Sequence, residues 1–314
     1  FYGPFEKTLE NAEAKIEKGE IKDERVLPWL YTQDSMKEIY EDKRTWQKSN
    51  PSLGKVKTYA YIEDIMNKSK NDLSTRVTML CKDFNIKQLE SGSWLSFDDL
   101  NNETRFDISF LKDSYAVAGV DLSSTTDLTA AVLLVIKDNK KYIIPHFFMP
   151  KDTLEKRMQE DNVPYDIWVK RGLVTLSEGS QNNFSLVTDW FLDMVRKYEI
   201  RPLWVGYDPW NAQYWVDEME ESGFTLEKIR QGVFTLSEPM KQLEADLKNH
   251  IVIYDNNPIL KWCLANTQAK VDVNGNIQPC KLNSKYKRID GAVALIIAYA
   301  TLNRYIKEYE NMNS

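Results

Sequence analysis

Three aspartates stand where apolar segments of the sequence end or begin. Asp121 closes the apolar run 115–120, Asp208 closes the run 202–207, and Asp290 precedes the run 291–300. If the first two runs are neighbouring strands, Asp121 and Asp208 lie side by side at one sheet edge, and Asp290 approaches from the start of a helix. Three converging carboxylates repel one another unless a cation neutralises them. The pattern therefore predicts a site for Mg²⁺ or Mn²⁺, which prefer hard oxygen ligands.

A site of this kind could cleave a phosphodiester bond. Two divalent ions about 3.5–4 Å apart can stabilise both the attacking water and the leaving oxygen. We therefore predict Asp121, Asp208 and Asp290 as catalytic residues that ligate a pair of metal ions.

Each aspartate also has an ordinary structural interpretation. Asp208 precedes Pro209, and this pair is typical of a helix start with Asp at the N-cap and Pro at the first helical position. Asp290 in a first turn would gain from the helix dipole. Asp121 has the weakest alternative, because a buried strand end seldom tolerates an unpaired carboxylate. The prediction rests on the three aspartates together.

Other polar residues lie near these positions in the sequence. Lys287 stands one helical turn before Asp290 and is predicted to face the site. With Lys285 and Arg288 it could hold the scissile phosphate, or the three could form a solvated loop. Asp127 could be a further ligand or could cap the turn after Asp121. Because five residues of this turn segment separate it from Asp121, the capping role is favoured.

Apolar patterning predicts the elements that would position these residues. Strands are expected at 115–121, 128–136 and 141–148, followed by a helix at 184–199, a strand ending at Asp208 and a helix closing at Gly223. Further along, we predict a short strand at 250–255, a hairpin around Asn274-Gly275 and a long apolar helix at 288–307. Three antiparallel strands, a helix and then a strand packed beside the first are typical of the ribonuclease H-like fold, an α/β fold with a mixed sheet flanked by helices.

The amino-terminal part of the chain has a different character. A helix is predicted at 7–18, a strand at 25–32, and mostly helical structure from Trp46 to about Asp98, interrupted by a turn in "SNPSLGK". The acidic, aperiodic segment 96–107 is predicted to be a linker. We therefore divide the chain into a domain at 1–95 and a domain at 96–314.

Composition narrows the possible functions. The net charge is −6, whereas a protein that coats nucleic acid tightly would be basic. His146, predicted to pack in a strand, and His250, predicted to end a helix, are the only histidines, which disfavours a histidine metal cage or a Ser-His-Asp hydrolase. No apolar run approaches the ~18 residues of a membrane span. The three cysteines lack metal-site spacing and are predicted to be buried thiols in a reducing compartment.

Six segments of the sequence resemble the large terminase subunit of tailed bacteriophages and prophages, in the family's order. "RVLPWLYTQD" and "TWQKSNPSLG" are similar to the end of that family's P-loop ATPase domain, and "GVDLSSTTDLTA" is similar to the first strand and hairpin of its nuclease domain. "WVKRGLVTLSEG" resembles the segment before the first nuclease helix, while "VGYDPWNAQ" and "KRIDGAVALIIAYA" resemble the second and third acidic motifs.

The resemblance implies a function, a site and a set of partners. It implies a metal-dependent endonuclease that cuts concatemeric double-stranded DNA in the cytoplasm of a bacterial host, together with a small terminase subunit and the portal protein. The family's metal-binding acids fall on Asp121, Asp208 and Asp290, and Lys287 takes the place of a histidine found in some relatives. Residues 1–95 would be the smaller, mostly helical remnant of the ATPase domain. Because no phosphate-loop motif is present, ATPase activity is not expected from this chain.

Other functions compete with this interpretation. "GVDLSSTTD" is similar to the phosphate hairpin of actin-like phosphotransferases, but Ser123 replaces the glycine that lets backbone amides reach a phosphate. A catalytically silent module that docks DNA or the portal would show binding without cleavage. A resolvase or transposase of the same fold would have no reason to carry the terminase-like amino-terminal segment.

Overall fold

The chain forms two compact units whose division falls between residues 90 and 91. The computed structural model describes residues 31–70, 73–86, 93–124, 128–209, 212–281 and 287–313. The helix predicted at 7–18, and all but the last two residues of the strand predicted at 25–32, lie outside these ranges.

The first unit is helical and has a small core of its own. Its helices are α1 (Met36–Glu41), α2 (Tyr59–Ser69) and α3 (Leu73–Asp83). The side chains of Ser35 and Thr58 cap α1 and α2 by accepting hydrogen bonds from backbone amides of the first turn. The predicted turn is present, and Gly54 adopts a φ of +88° there. The core consists of Ile39, Trp46, Leu53, Ile62, Met79, Leu80 and Phe84.

The second unit is built on a mixed sheet. In chain order its strands are β1 (Tyr115–Asp121), β2 (Thr129–Lys137), β3 (Lys140–Pro150), β4 (Val174–Ser177), β5 (Arg201–Tyr207), β6 (Leu226–Lys228) and β7 (Val252–Ile253). Across the described residues they pair in the order β4-β3-β2-β1-β5-β6, with β7 on β3. A separate hairpin consists of β8 (Thr267–Val271) and β9 (Ile277–Lys281). The first three strands are antiparallel and β5 is parallel to β1, as the ribonuclease H-like prediction requires.

Helices cover both faces of this sheet. In chain order they are α4 (Phe97–Leu100), α5 (Leu154–Asp161), α6 (Tyr165–Lys170), α7 (Ser185–Tyr198), α8 (Gln213–Glu221), α9 (Val233–Lys248), α10 (Pro258–Asn266) and α11 (Asp290–Asn313). Alternate residues of β1 point to opposite faces. Ala116, Ala118 and Val120 join one core with Phe191 of α7 and Trp215 of α8.

Helix α11 packs directly on the other face of β1 and β5. Gly119 of β1 lies opposite Gly206 of β5 in the parallel register. A Cβ atom on Gly119 would overlap the backbone of Ala294 and would lie only 3.0 Å from the Cα of Ala298. The paired glycines therefore provide a flat surface that brings α11, and Asp290 at its start, close to the sheet.

The segment predicted to be a linker is partly folded. Residues Phe97–Leu100 form α4, and Ser96 with Asp99 completes a capping box at its start. Leu100 is fully buried, and the amide of Asn102 donates a 2.9 Å hydrogen bond to the carbonyl of Val252. The prediction of a linker is therefore wrong for this stretch. Some of its polar residues cap α4, and this capping explains why the sequence lacks an apolar period.

Candidate active site

Asp121 and Asp208 occupy neighbouring strand ends. Asp121 is the last residue of β1, and Asp208 directly follows β5. Val120 pairs with Tyr207 in the parallel register, so the next residue of each strand meets at the same edge. Both aspartates are partly exposed.

Asp208 does not stand at the N-cap of the next helix. Helix α8 begins at Gln213, and Ala212 occupies the N-cap position without a side-chain cap. Asp208 therefore does not cap the helix that follows it, and the prediction of a helix beginning at Pro209 is wrong.

Asp290 is held at the start of α11. It is the first helical residue and is only 5% exposed. A helix amino terminus favours a carboxylate because the first backbone amides have no partner within the helix. The first turn packs closely on its surroundings, since a Cβ atom on Gly291 would lie 2.9 Å from Phe147 and 3.3 Å from the sulfur of Cys263.

Cys263 of α10 links two of the acidic residues electrostatically. Its side chain is completely buried, and its sulfur accepts a hydrogen bond from the backbone amide of Gly291. Burial raises the pKa of this thiol well above its usual range, and the negative charges of Asp290 and Asp121 raise it further. Both carboxylates therefore act on one side chain, although they belong to different elements. The sequence does not single out Cys263, because its neighbours in α10 follow an ordinary buried-helix pattern.

Strand register places Asp121 and Asp208 next to each other, but the described residues do not form a ready-made metal cage. Within the described ranges, no group of three or more His, Cys, Asp or Glu side chains is arranged to hold one metal ion. Mg²⁺ is commonly bound through one or two carboxylates, with water and substrate phosphates completing its octahedral coordination. Asp121 and Asp208 are neighbouring carboxylates of this type, and their role as metal ligands together with Asp290 stays a prediction.

The basic residues before Asp290 differ from one another in their surroundings. Lys287 is partly buried and lies in a non-helical stretch before α11. The prediction that it stands one helical turn before Asp290 is therefore wrong. Its orientation toward the site stays a prediction. Arg288 is 2% exposed and forms a buried ion pair with Asp161, which excludes the solvated-loop and phosphate-binding interpretations for this residue. Lys285 lies outside the described residues.

Asn182 supports the turn that follows Asp121. Its side-chain amide donates hydrogen bonds to the carbonyl of Ser123 at 2.7 Å and to Oγ1 of Thr129 at 3.2 Å. Its backbone amide donates to the carbonyl of Ser124 at 2.9 Å. The chain entering α7 therefore fixes the start of the β1–β2 hairpin. The sequence does not distinguish Asn182 from the other residues of its polar segment. Asp127 lies outside the described residues.

The histidines and cysteines lie in different environments. His146 packs in β3, where its Nε2 lies 2.8 Å from Oγ1 of Thr175, as predicted for a strand histidine. His250 follows the end of α9 in a left-handed conformation, which agrees with the predicted helix end. Cys263 is buried as predicted, but Cys81 is exposed and Cys280 is only half-buried, so the prediction of buried thiols is wrong for these two.

Known proteins resemble this chain over much of its length. The large terminase subunit of Enterobacteria phage HK97 is 28% identical over 61% of the chain, and protein YmfN of Escherichia coli (strain K12) is 24% identical over 92% of it. The chain spans 38% and 66% of the lengths of these two relatives. The crystal structure of the HK97 large terminase matches 94% of this chain and 60% of its own, with 24% identity and a TM-score of 0.58.

No helix in the described part of the chain has the length and apolar character needed to cross a membrane.

The family of the chain follows from a match that covers most of it. The family model for the terminase large subunit, endonuclease domain, matches residues 20–304. This match favours the terminase resemblance over the actin-like one, and the ribonuclease H-like sheet agrees with it. The chain belongs to the family of terminase large subunit endonuclease domains.

Proposed function

We propose that this chain is a metal-dependent endonuclease that cuts concatemeric double-stranded DNA during phage packaging. The observation that supports this most strongly is the register of β1 and β5, which sets Asp121 and Asp208 side by side at the carboxyl ends of two neighbouring strands. Neighbouring carboxylates repel one another, and a bound cation would relieve that repulsion.

The mechanism assigns separate tasks to the protein's own side chains. Asp121, Asp208 and Asp290 would hold two Mg²⁺ or Mn²⁺ ions at the sheet edge. Ions bound there would supply an activated water and neutralise charge on the leaving oxygen. Asp121 and Asp208 are fixed by adjacent strands, and Asp290 by the first turn of α11, so the ligands need little rearrangement. Lys287 would contact the scissile phosphate.

The remaining assignments concern the larger packaging machine. Residues 1–95 would derive from the end of an ATPase domain, and residues 96–314 would form the nuclease. The partners would be double-stranded DNA, a small terminase subunit and the portal protein, acting in the cytoplasm of the bacterial host.

The acidic charge bears on how cleavage is controlled. With a net charge of −6, the chain should bind DNA weakly by itself, since nonspecific affinity comes from neutralising phosphates with basic side chains. Partners would then raise the local DNA concentration and restrict cleavage to packaging. A titration of DNA binding against salt tests this, and tight binding at physiological salt without partners would contradict it.

A nuclease assay tests the proposed function. Supercoiled plasmid is incubated with the wild type or Asp208→Asn in Mn²⁺, Mg²⁺ or a chelator. We expect metal-dependent nicking and linearisation by the wild type, and neither by the variant. DNA binding by the folded wild type without cleavage in any metal, with the partner proteins added, would instead support a silent docking module.

A further inference from the structure

A buried ion pair lies next to the proposed metal ligand Asp290 in the chain. Arg288 and Asp161 have side chains that are 3% and 0% exposed, and 127 residues separate them in the sequence. The Arg288 guanidinium donates from Nε to Oδ2 and from Nη2 to Oδ1 of Asp161, both at 2.9 Å. Such a two-point contact fixes the direction of the side chain as well as its position.

Further bonds hold the same segment. The hydroxyl of Tyr165 donates to Oδ2 of Asp161 at 2.8 Å, so this carboxylate accepts three hydrogen bonds. On the other side, the amide of Asn266 at the end of α10 donates to the carbonyl of Arg288 at 3.2 Å. The amide of Val293 donates to the carbonyl of Ile289 at 2.9 Å, which begins the hydrogen-bonding of α11.

Burial of a charged pair needs an explanation beyond stability. Removing two charges from water costs free energy that their attraction often fails to recover, so apolar side chains of similar volume would often serve equally well. Tyr165, which bonds Asp161, makes an edge contact with Trp168 at 5.2 Å between ring centroids, so aromatic side chains already pack beside the pair. An ion pair with fixed geometry does offer one advantage here, because it determines where α11 starts.

We propose that Asp161 and Arg288 are positioning residues for Asp290. Only Ile289 lies between Arg288 and Asp290, the carboxylate that the proposed function assigns to the metal, and the ion pair anchors the backbone at this point. The inference rests on the proposed function, because it requires Asp290 to be a ligand. Neither Asp161 nor Arg288 contacts the substrate or the metal in this account.

The second unit contains a matched control for this ion pair. Asp246 accepts a 2.6 Å bond from Lys141 and a 2.9 Å bond from the hydroxyl of Tyr299, so it too is a carboxylate shared by a cation and a tyrosine. Tyr299 belongs to α11 but stands about 2.5 turns beyond Asp290. Asp246→Asn therefore disturbs the same helix through the same kinds of bond without touching its first turn.

The experiment compares Asp161→Asn with Asp246→Asn in the full chain by two measurements. Hydrogen exchange without metal should be at least ~10-fold faster over residues 287–293 in Asp161→Asn and unchanged there in Asp246→Asn. The Mn²⁺ concentration that gives half of the maximal thermal stabilisation should rise at least ~10-fold in Asp161→Asn, as for other residues that orient metal ligands, and less than twofold in the control. Should Asp161→Asn not fold, Arg288→Lys keeps the charge but loses the two-point contact and should show the same two changes.

The outcomes separate this inference from the proposed function. A wild type that Mn²⁺ does not stabilise would overturn the proposed function and this inference with it. A wild type stabilised by Mn²⁺, with equal Mn²⁺ requirements in Asp161→Asn and the control, would overturn only the positioning role. Faster exchange at the start of α11 with an unchanged Mn²⁺ requirement would also overturn it, because the ion pair would then hold the helix without serving Asp290.

Discussion

Replacing Gly119 by alanine should force α11 away from the sheet. The added Cβ would overlap the carbonyl oxygen of Ala294 and the nitrogen of Ala298 and would lie 3.0 Å from the Cα of Ala298. These are backbone atoms of a helix, so no side-chain rotation relieves the contact. Overpacking of cores typically costs about 1–3 kcal/mol, and a rigid backbone neighbour places this substitution at about 3 kcal/mol or above.

Two other glycines calibrate the measurement. A Cβ on Gly206 would meet Oγ1 of Thr301 and would lie 3.0 Å from Cγ2 of Ile297, and these are side-chain atoms that can rotate. Gly206→Ala should therefore cost about 1–2 kcal/mol. Gly172 has no atom within 4 Å of the added Cβ but has a φ of +70°, so Gly172→Ala should lose about 1 kcal/mol through backbone strain alone.

Urea unfolding at 25 °C followed by circular dichroism gives the free energy of unfolding of each variant. The expected order of loss is Gly119→Ala, then Gly206→Ala, then Gly172→Ala. Where Gly119→Ala remains folded, a shift of α11 by about 1 Å would carry Asp290 away from Asp121 and lower the cleavage rate by about 100-fold. A loss below about 1 kcal/mol in Gly119→Ala, or one no larger than in Gly206→Ala, would refute the direct contact between α11 and β1.

Three further predictions test the core, a titrating side chain and the thiols. Phe191 is fully buried between α7 and the sheet, so Phe191→Ala should lower the free energy of unfolding in urea by about 3–5 kcal/mol; a loss under about 1 kcal/mol would contradict its place in that core. Burial lowers the pKa of His146 from 6.5 to about 4, so the unfolded chain takes up its proton first and stability should fall as the pH drops from about 6.5 to about 4. This loss in the free energy of unfolding is at most about 3 kcal/mol, reduced by the partial exposure of the ring. His146→Gln should flatten the dependence of the unfolding free energy on pH over this range; an unchanged dependence would contradict the role of His146. In the native protein a maleimide should label exposed Cys81 within minutes and leave buried Cys263 unreacted, which mass spectrometry of peptides can measure; early labelling of Cys263 would show that its site opens readily.

Long apolar runs made much of the nuclease-like sheet predictable. The strands at 115–121, 128–136 and 141–148 and the helix at 184–199 are present within one or two residues of the predicted bounds. A strand of seven or more residues that are mostly apolar leaves a clear pattern, and the order of elements is then the one in which β5 pairs with β1. The neighbouring positions of Asp121 and Asp208 follow from that order.

Short elements and distant contacts could not be predicted in this way. Strands β4 and β6 contain four and three residues, too few to show an alternation. Asp208-Pro209 has the local signature of a helix start, yet α8 begins at Gln213, so the local signal was misleading. The ion pair between Arg288 and Asp161 joins residues far apart in the chain, and each looks like an ordinary surface charge until the fold buries both.

The most direct test of the active site is the rate of plasmid cleavage by single aspartate variants. Asp121→Asn, Asp208→Asn and Asp290→Asn are compared at saturating Mn²⁺ with Asp217→Asn, which removes an exposed carboxylate on α8 that accepts a hydrogen bond from Gln213. Each of the first three should reduce the rate at least ~100-fold while the protein stays folded, and the control should remain within about twofold of the wild type. Cleavage at the wild-type rate by any of the three would contradict the assignment of that aspartate as a metal ligand.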